Sequence, residues 1–275
     1  MKGKTMAYQL ITHYLDKPIQ TGRVYDIFLP ENVQHDTAIF LIHGGGWTAG
    51  SRISYHTPIM ETLAEKGYIV ASTDYRLTVS AMEQLKDCRE AYMHFVNELR
   101  KLGRPMKIAV YGSSAGAHLS SLLAVAKPGA SGEDFPADAD WVVPECALLQ
   151  SCPMSFEPWE EIFPHIWTSM QNAARVPYEE KPEVYKKLSL DHHIHSDMPR
   201  IFFMEAEWEH MFWPPQKVSL AKKIASLKGS VKVKIYKNME HGFLFNFDRE
   251  HQREGFADFI KFIENEPIGN TVFEA

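Results

Sequence analysis

A chain of 275 residues with 45% hydrophobic and 12% aromatic side chains can bury a substantial core, which excludes disorder as a description of the whole. A formal net charge of −6, with no basic run suited to tracking phosphates, argues against a nucleic-acid partner. No stretch approaches the roughly 18 apolar residues of a spanning helix, Met1 to Leu10 is too polar for a signal-peptide core, and Cys88, Cys146 and Cys152 can neither pair completely nor match a metal-binding spacing. A cytoplasmic protein with reduced thiols and no membrane partner is the expectation.

In chain order, Tyr25 to Pro30 alternates and stops at proline, as a half-buried strand does. Ala38 to Ile42 is a short apolar run ending in glycines, which predicts a strand buried on both faces. These two strands, with no helix between them, are expected to form an antiparallel start. Ile59 to Lys66 reads as helix with Gly67 as its stop, and Tyr68 to Thr73 as the next strand. Met82, Leu85, Cys88, Tyr92, Phe95, Leu99 and Leu102 recur at spacings of three and four, which predicts a long helix closed by Gly103. Met106 to Tyr111 is strand, Ala115 to Ala126 a small-residue helix, and Lys127 to Pro144 a loop rich in Pro, Gly, Ala and Asp. Ala147 to Leu149, Ile201 to Met204 and Val231 to Tyr236 are further strands, and Pro214 to Leu227 and Asp248 to Glu264 further helices.

This alternation predicts an α/β fold with a mostly parallel sheet and helices on both faces. Residues 151–199 are too long for an ordinary connection. They are read as a small, cap-like helical insertion within a single domain covering 1–275, placed over the edge where the strands end and where open α/β sheets bind ligands.

Two glycine-rich motifs carry chemistry. Gly112-Ser113-Ser114-Ala115-Gly116 matches G-x-S-x-G between a predicted strand and a predicted helix, the context in which a strained turn pushes the middle serine out at the sheet edge. The competing reading is a serine-rich turn whose hydroxyls cap a helix. His43-Gly44-Gly45-Gly46-Trp47 follows the earlier buried strand, and its bare N–H groups can approach a developing oxyanion. It is not a phosphate loop of the G-x-x-x-x-G-K-[ST] kind, since no lysine follows.

With HGGGW at 43–47, Asp74-Tyr75-Arg76-Leu77 and GSSAGAHL at 112–119, the chain resembles the α/β-hydrolase fold, specifically the esterases related to hormone-sensitive lipase. The GxSAGAH form is similar to carbohydrate acetyl or feruloyl esterases and to kynurenine formamidase. The resemblance runs from about Tyr25 to Ile263 and implies an eight-stranded-type sheet and a triad in the order Ser, acid, His. It places Ser114 as nucleophile, His241 in the loop after the last long strand and the turn at Lys237 to Glu240, and Gly44, Gly45 and Ala115 as oxyanion-hole donors. The family's usual Gly-x-x-Asp falls on Ala206 to Glu209. Glu209 is therefore the expected acid, with Glu207 second and Glu205 third. Among rival histidines, His210 adjoins the acid, and His43 and His118 are expected to orient backbone or pack. Asp191 to His195 lacks a recognised metal-ligand spacing and reads as a surface loop. Asp87 is assigned a structural role.

The implied chemistry is acyl transfer through an acyl-enzyme, with no metal or organic cofactor and a small-molecule ester as partner. Trp47, Trp208 and Met211 are expected to line the pocket; Phe212 and Trp213 lie beside the candidate acid in sequence, Trp159, His165 and Trp167 lie in the insertion, and all five serve equally well as packing. Short-chain ester hydrolysis leads, ahead of a formamidase, a ligand-binding member with impaired catalysis, and a peptidase.

Overall fold

The computed structural model describes residues 7–16, 22–104, 107–137 and 140–275. Met106, expected to open a strand, lies outside these residues, as do residues 1–6 of the polar N-terminus and 138–139 of the loop before Pro144.

Among the described residues nine strands form one sheet: β1 (Tyr8–Tyr14), β2 (Val24–Pro30), β3 (Thr37–Ile42), β4 (Val70–Thr73), β5 (Lys107–Ser113), β6 (Cys146–Gln150), β7 (Arg200–Trp208), β8 (Val231–Glu240) and β9 (Phe273–Glu274), in the spatial order β1-β2-β4-β3-β5-β6-β7-β8-β9. The pairs from β4 through β3, β5, β6, β7 and β8 are parallel, while β1–β2, β2–β4 and β8–β9 are antiparallel. The strand at Tyr25–Pro30 was expected to pair with the Ala38–Ile42 run. Instead it lies between β1 and β4, because the strand at Tyr8–Tyr14 supplies its antiparallel partner and the chain crosses over before entering β3.

Period-two alternation assigns the two faces. Phe40 and Ile42, Val110, Ala147 and Leu149, and Ile201 and Phe203 point into one core; Ile39 and Leu41, Ala109 and Tyr111, Leu148, and Phe202 and Met204 point into the other. The first core is closed by α2 (Ala81–Lys101), α3 (Ala115–Val125) and α6 (Pro214–Ser226), the second by α1 (Thr57–Glu65) and α7 (Glu250–Ile263). Helix α2 starts at a reciprocal cap: Ser80 Oγ accepts from the Glu83 N–H, and the Glu83 carboxylate accepts from the Ser80 N–H. Between β6 and β7, α4 (Pro164–Ala174), α5 (Pro182–Lys187) and a 3₁₀ turn at Leu190–His192 send Ile166, Met170, Tyr185 and Leu190 into the first core.

Strands β4 and β5 flank β3 on opposite sides. The loops leaving β3 and β5 therefore diverge around a crevice at the strands' carboxyl ends, the topological switch point of an open α/β sheet. No helix among the described residues is long and apolar enough to cross a membrane.

Candidate active site

The G-x-S-x-G segment turns sharply from β5 into α3. Ser114 holds φ 55° and ψ −123°, a region that side-chain-bearing residues avoid, so its conformation is held by the surroundings. The flanking glycines show how tight those surroundings are. A Cβ on Gly112 would lie 2.2 Å from the Gly116 carbonyl oxygen, and one on Gly116 would lie 2.1 Å from that of Ile42. Only bare backbone lets β3, β5 and α3 approach so closely.

At the crevice, His241 Nε2 is 2.9 Å from Ser114 Oγ, and its Nδ1 is 2.7 Å from Glu209 Oε2. An ionised carboxylate only accepts, so Nδ1 carries the proton and Nε2 is the bare nitrogen facing the hydroxyl. Glu209 Oε1 accepts from the N–H groups of Met211, at 2.9 Å, and Phe212, at 3.3 Å. Burial raises this carboxyl's pKa. The hydrogen bond and charge of His241, the Met211 amide and the Lys217 ammonium outweigh burial and hold it down to about 2.

The other two acidic candidates go elsewhere. Glu207 is exposed and its Oε2 accepts from the Asn238 N–H at 2.8 Å. Glu205 is fully buried in β7 and faces Lys217 Nζ at 3.3 Å; burial raises its pKa to about 8, against the pull of Lys217 and with the neighbouring Glu209 charge adding to the rise. The acidic run is thus strand rather than turn, and so is Lys237–Glu240: β7 and β8 stay paired up to Trp208 and Glu240, with a bulge between Ala206 and Trp208.

The glycine loop after β3 lies against the serine turn. A Cβ on Gly44 would stand 2.6 Å from the Ser113 carbonyl oxygen and 3.4 Å from Ser114 Cβ. Among the described residues the amides of Gly44, Gly45 and Ala115 have no protein acceptor, and Ala115 opens α3, where the helix dipole favours negative charge. His43 Nδ1 lies 2.7 Å from the Gly44 carbonyl oxygen, and Tyr75 stacks on the His43 ring and donates to its carbonyl at 3.1 Å. Burial lowers the His43 pKa, opposed by the Gly44 carbonyl and Asp74. In the Asp-Tyr-Arg segment, Asp74 receives Arg52 at 2.7 Å, and Arg76 donates twice to Asp87, both at 2.8 Å.

A cavity of about 590 Å³ opens over Ser114 and His241. Trp47 and Met211 line it. Trp47 is anchored by donating its indole N–H to His118 Nδ1 at 3.2 Å, while His118 Nε2 lies 2.7 Å from the Leu188 carbonyl oxygen. Burial keeps His118 neutral, with its pKa lowered to about 4, which suits both bonds. Trp208 is a correction: it is 57% exposed at the end of β7 and does not line the cavity, because the extension of β7 carries it beyond the crevice. Trp159 and Trp167 pack on the core instead, whereas Phe212 and His165 do line the cavity. His56, Ile166, Ser169 and Phe245 are lining residues that no motif marks. They come from the N-cap of α1, from the first half of α4 and from the loop after His241, and their convergence is a property of the folded chain.

Two clusters among the described residues bring three possible ligand atoms within 4.8 Å: His13, His94 and Glu98, and Glu157, Asp191 and His192. Neither lines the cavity. His193 and His195 turn to the carbonyls of Lys187 and Val125 rather than toward His192.

"Lipase 2" of Moraxella sp. (strain TA144) is 36% identical over 98 residues, which are 34% of this chain and 23% of that relative, so the match spans about a quarter of the relative's length. Esterase 2 of Thermogutta terrifontis, solved with butyrate bound, superposes with a TM-score of 0.69 at 19% identity over 92% of this chain and 91% of that one. A truncated carbohydrate esterase from gut microbiota superposes with a TM-score of 0.72 at 19% identity over 94% and 98%. These structural likenesses show the α/β-hydrolase fold. The BD-FAE family model matches residues 25–224, a stretch that takes in the glycine loop, the serine turn and Glu209. The chain belongs to the BD-FAE family of α/β-hydrolase esterases.

Proposed function

We propose that this protein is a serine hydrolase that cleaves short-chain carboxylic esters, acyl esters of carbohydrates among them. The observation that carries the reading is the unbroken hydrogen-bonded line from Ser114 through His241 to Glu209, open to the cavity at its serine end. The butyrate held by one structural neighbour and the name of another, a carbohydrate esterase, support the acyl and alcohol classes.

In this mechanism Ser114 Oγ bonds to the acyl carbon as its proton passes to His241 Nε2. The carbonyl oxygen becomes an oxyanion held by the amides of Gly44, Gly45 and Ala115; one such donor contributes about 2.7–4 kcal/mol to the transition state. Collapse breaks the bond to the leaving alcohol, which takes the proton from Nε2. Water then attacks the acyl-enzyme, returning a proton through the same nitrogen to Ser114 and releasing the carboxylic acid. Glu209 stays ionised throughout. It fixes the imidazole tautomer and stabilises the imidazolium.

Hydrolysis of p-nitrophenyl acetate, butyrate and octanoate by wild type and Ser114→Ala tests this. Fast turnover of acetate and butyrate, reduced on the order of 10³-fold or more by the substitution, is expected. No turnover above the variant's background from folded wild type overturns the reading, and hydrolysis of a formamide alone moves it to amide cleavage.

A further inference from the structure

At the edge of the sheet away from the crevice, β1 and α2 bring two imidazoles and a carboxylate together. His13 of β1 stands directly opposite Tyr25 of β2 in the strand register. Its ring stacks on the Tyr25 ring, with centroids 5.0 Å apart at 12°. Tyr25 Oη lies 2.6 Å from His94 Nδ1 of α2, and the His13 and His94 rings are 5.3 Å apart. Glu98 follows His94 by four residues on the same helix, a spacing that puts both side chains on one face. One ligand atom from each of His13, His94 and Glu98 lies within 4.8 Å of the other two. All three residues are half-buried, so the cluster is not sealed from solvent.

The geometry and the protonation states both suit a metal ion. Three atoms so placed leave a point no more than about 2.8 Å from each, and zinc bonds nitrogen and oxygen ligands at about 2.0–2.2 Å. Turns about the side-chain bonds close that gap. Burial and the neighbouring His13 lower the pKa of His94, against the pull of Glu98, so its ring is neutral at pH 7, the form that ligates. Burial, with the Glu98 charge, raises the pKa of Tyr25, so the phenol keeps its proton and its oxygen accepts from His94 Nδ1. Nε2 is then bare. Metal-bound histidines use such an outer hydrogen bond to fix their tautomer. The Lys101 hydrogen bond lowers the Glu98 pKa, so this carboxylate is ionised. Lys101 itself is exposed and bonds Oε1, and an exposed pair of this kind is weak.

We propose that His13, His94 and Glu98 bind one divalent ion of the zinc class, with Tyr25 orienting His94 and water completing the coordination. Two imidazoles and a single carboxylate suit zinc, whereas magnesium and calcium take oxygen ligands. The cluster does not line the cavity, and ester cleavage makes no use of it. The ion fastens edge strand β1, whose side chains are mostly exposed, to α2. The rival cluster of Glu157, Asp191 and His192 offers one imidazole, which is already closed on Glu157 at 2.6 Å.

Zinc binding to the untagged, chelator-stripped full chain tests this, read by competition with a chromophoric zinc indicator. One ion per chain with a Kd at or below about 1 µM is expected. His94→Gln and Glu98→Gln are each expected to weaken binding by about tenfold or more, Tyr25→Phe by about tenfold, and His192→Gln by less than about twofold. Zinc is also expected to raise the melting temperature of wild type but not that of His94→Gln. A wild-type Kd weaker than about 100 µM overturns the proposal, as does a loss of less than tenfold in both His94→Gln and Glu98→Gln. Loss in His192→Gln with retention in His94→Gln overturns it in favour of the rival cluster. Should the variants fail to fold, wild type alone decides. Exchange of the imidazole C2 hydrogens, followed by mass spectrometry, is expected to slow at His13 and His94 when zinc is added. Exchange that is unchanged there, or slowed at His192 instead, overturns the proposal.

Discussion

Glu209 is buried and yet ionised, and its partners account for both. Two backbone amides and the His241 ring donate to its oxygens, so removal from water is met by three hydrogen bonds. Its folded pKa of about 2 lies below the ordinary 4.5, so its contribution to stability is fully present above about pH 4.5 and is lost as the pH falls toward 2. Glu209→Gln keeps the shape and removes the charge. We expect kcat on p-nitrophenyl acetate to drop on the order of 10³–10⁴-fold, as loss of the carboxylate does in a Ser-His-Asp triad. We also expect the stability difference between wild type and Glu209→Gln, from urea unfolding, to narrow between about pH 6 and about pH 3. A difference that stays constant over that range contradicts the ionised-partner role. Three glutamates within five residues were candidates by spacing, and what separates them is surroundings: Glu207 reaches a backbone amide at the surface, Glu205 a buried lysine, and Glu209 the histidine.

At the scale of elements, the β5–α3 turn is where local chemistry and packing coincide. The Cβ that alanine would add at Gly116 meets the backbone oxygens of Ile42 and His43 at 2.1 and 2.5 Å, and backbone cannot swing aside as a flexible side chain does. Gly116→Ala is therefore expected to cost about 3 kcal/mol or more, by overpacking between α3 and β3, read by chemical denaturation and circular dichroism. A variant with wild-type stability would mean that α3 lies farther from β3 than described. The same turn was legible in the sequence because G-x-S-x-G, a preceding apolar run and a following small-residue helix are local signals. The far ends of β7 and β8 were not legible: Glu205, Glu207, Lys237, Asn238 and Glu240 interrupt the apolar pattern there, and only pairing across the sheet makes these segments strands.

For the molecule as a whole, a buried cation ties separate segments together. Arg89 of α2 is fully buried; its Nε lies 2.8 Å from Glu133 Oε1, and its Nη2 donates to the carbonyls of Leu122 and Ala126, at 3.2 and 2.8 Å, at the C-terminal end of α3. Trp141 covers the guanidinium at 4.7 Å. One side chain thus joins α2, the end of α3 and the loop beyond it, where the dipole of α3 favours a cation. Arg89→Met leaves Glu133 buried without its partner and is expected to cost about 3–5 kcal/mol, whereas Arg89→Met combined with Glu133→Leu recovers much of that loss. Equal stabilities for the single and double variants, by urea unfolding, would show that the pair is not coupled.

The sequence by itself determined the fold class, the serine turn, the glycine loop and the histidine that faces them. Period-two runs, spacings of three and four, and glycine punctuation are short-range consequences of backbone geometry, and the three motifs sit at the ends of elements those patterns define. The tertiary structure decided the rest. Strand β1 is an edge with a mostly exposed pattern, so no apolar alternation announces it, and the two residues of β9 are too few to carry one. The partner of β2, the choice among three glutamates, the turning of Trp208 outward and the closure of His56 into the cavity all depend on contacts between residues far apart in the chain. Such contacts are set by which faces the sheet buries, and that is settled only once all its strands have paired.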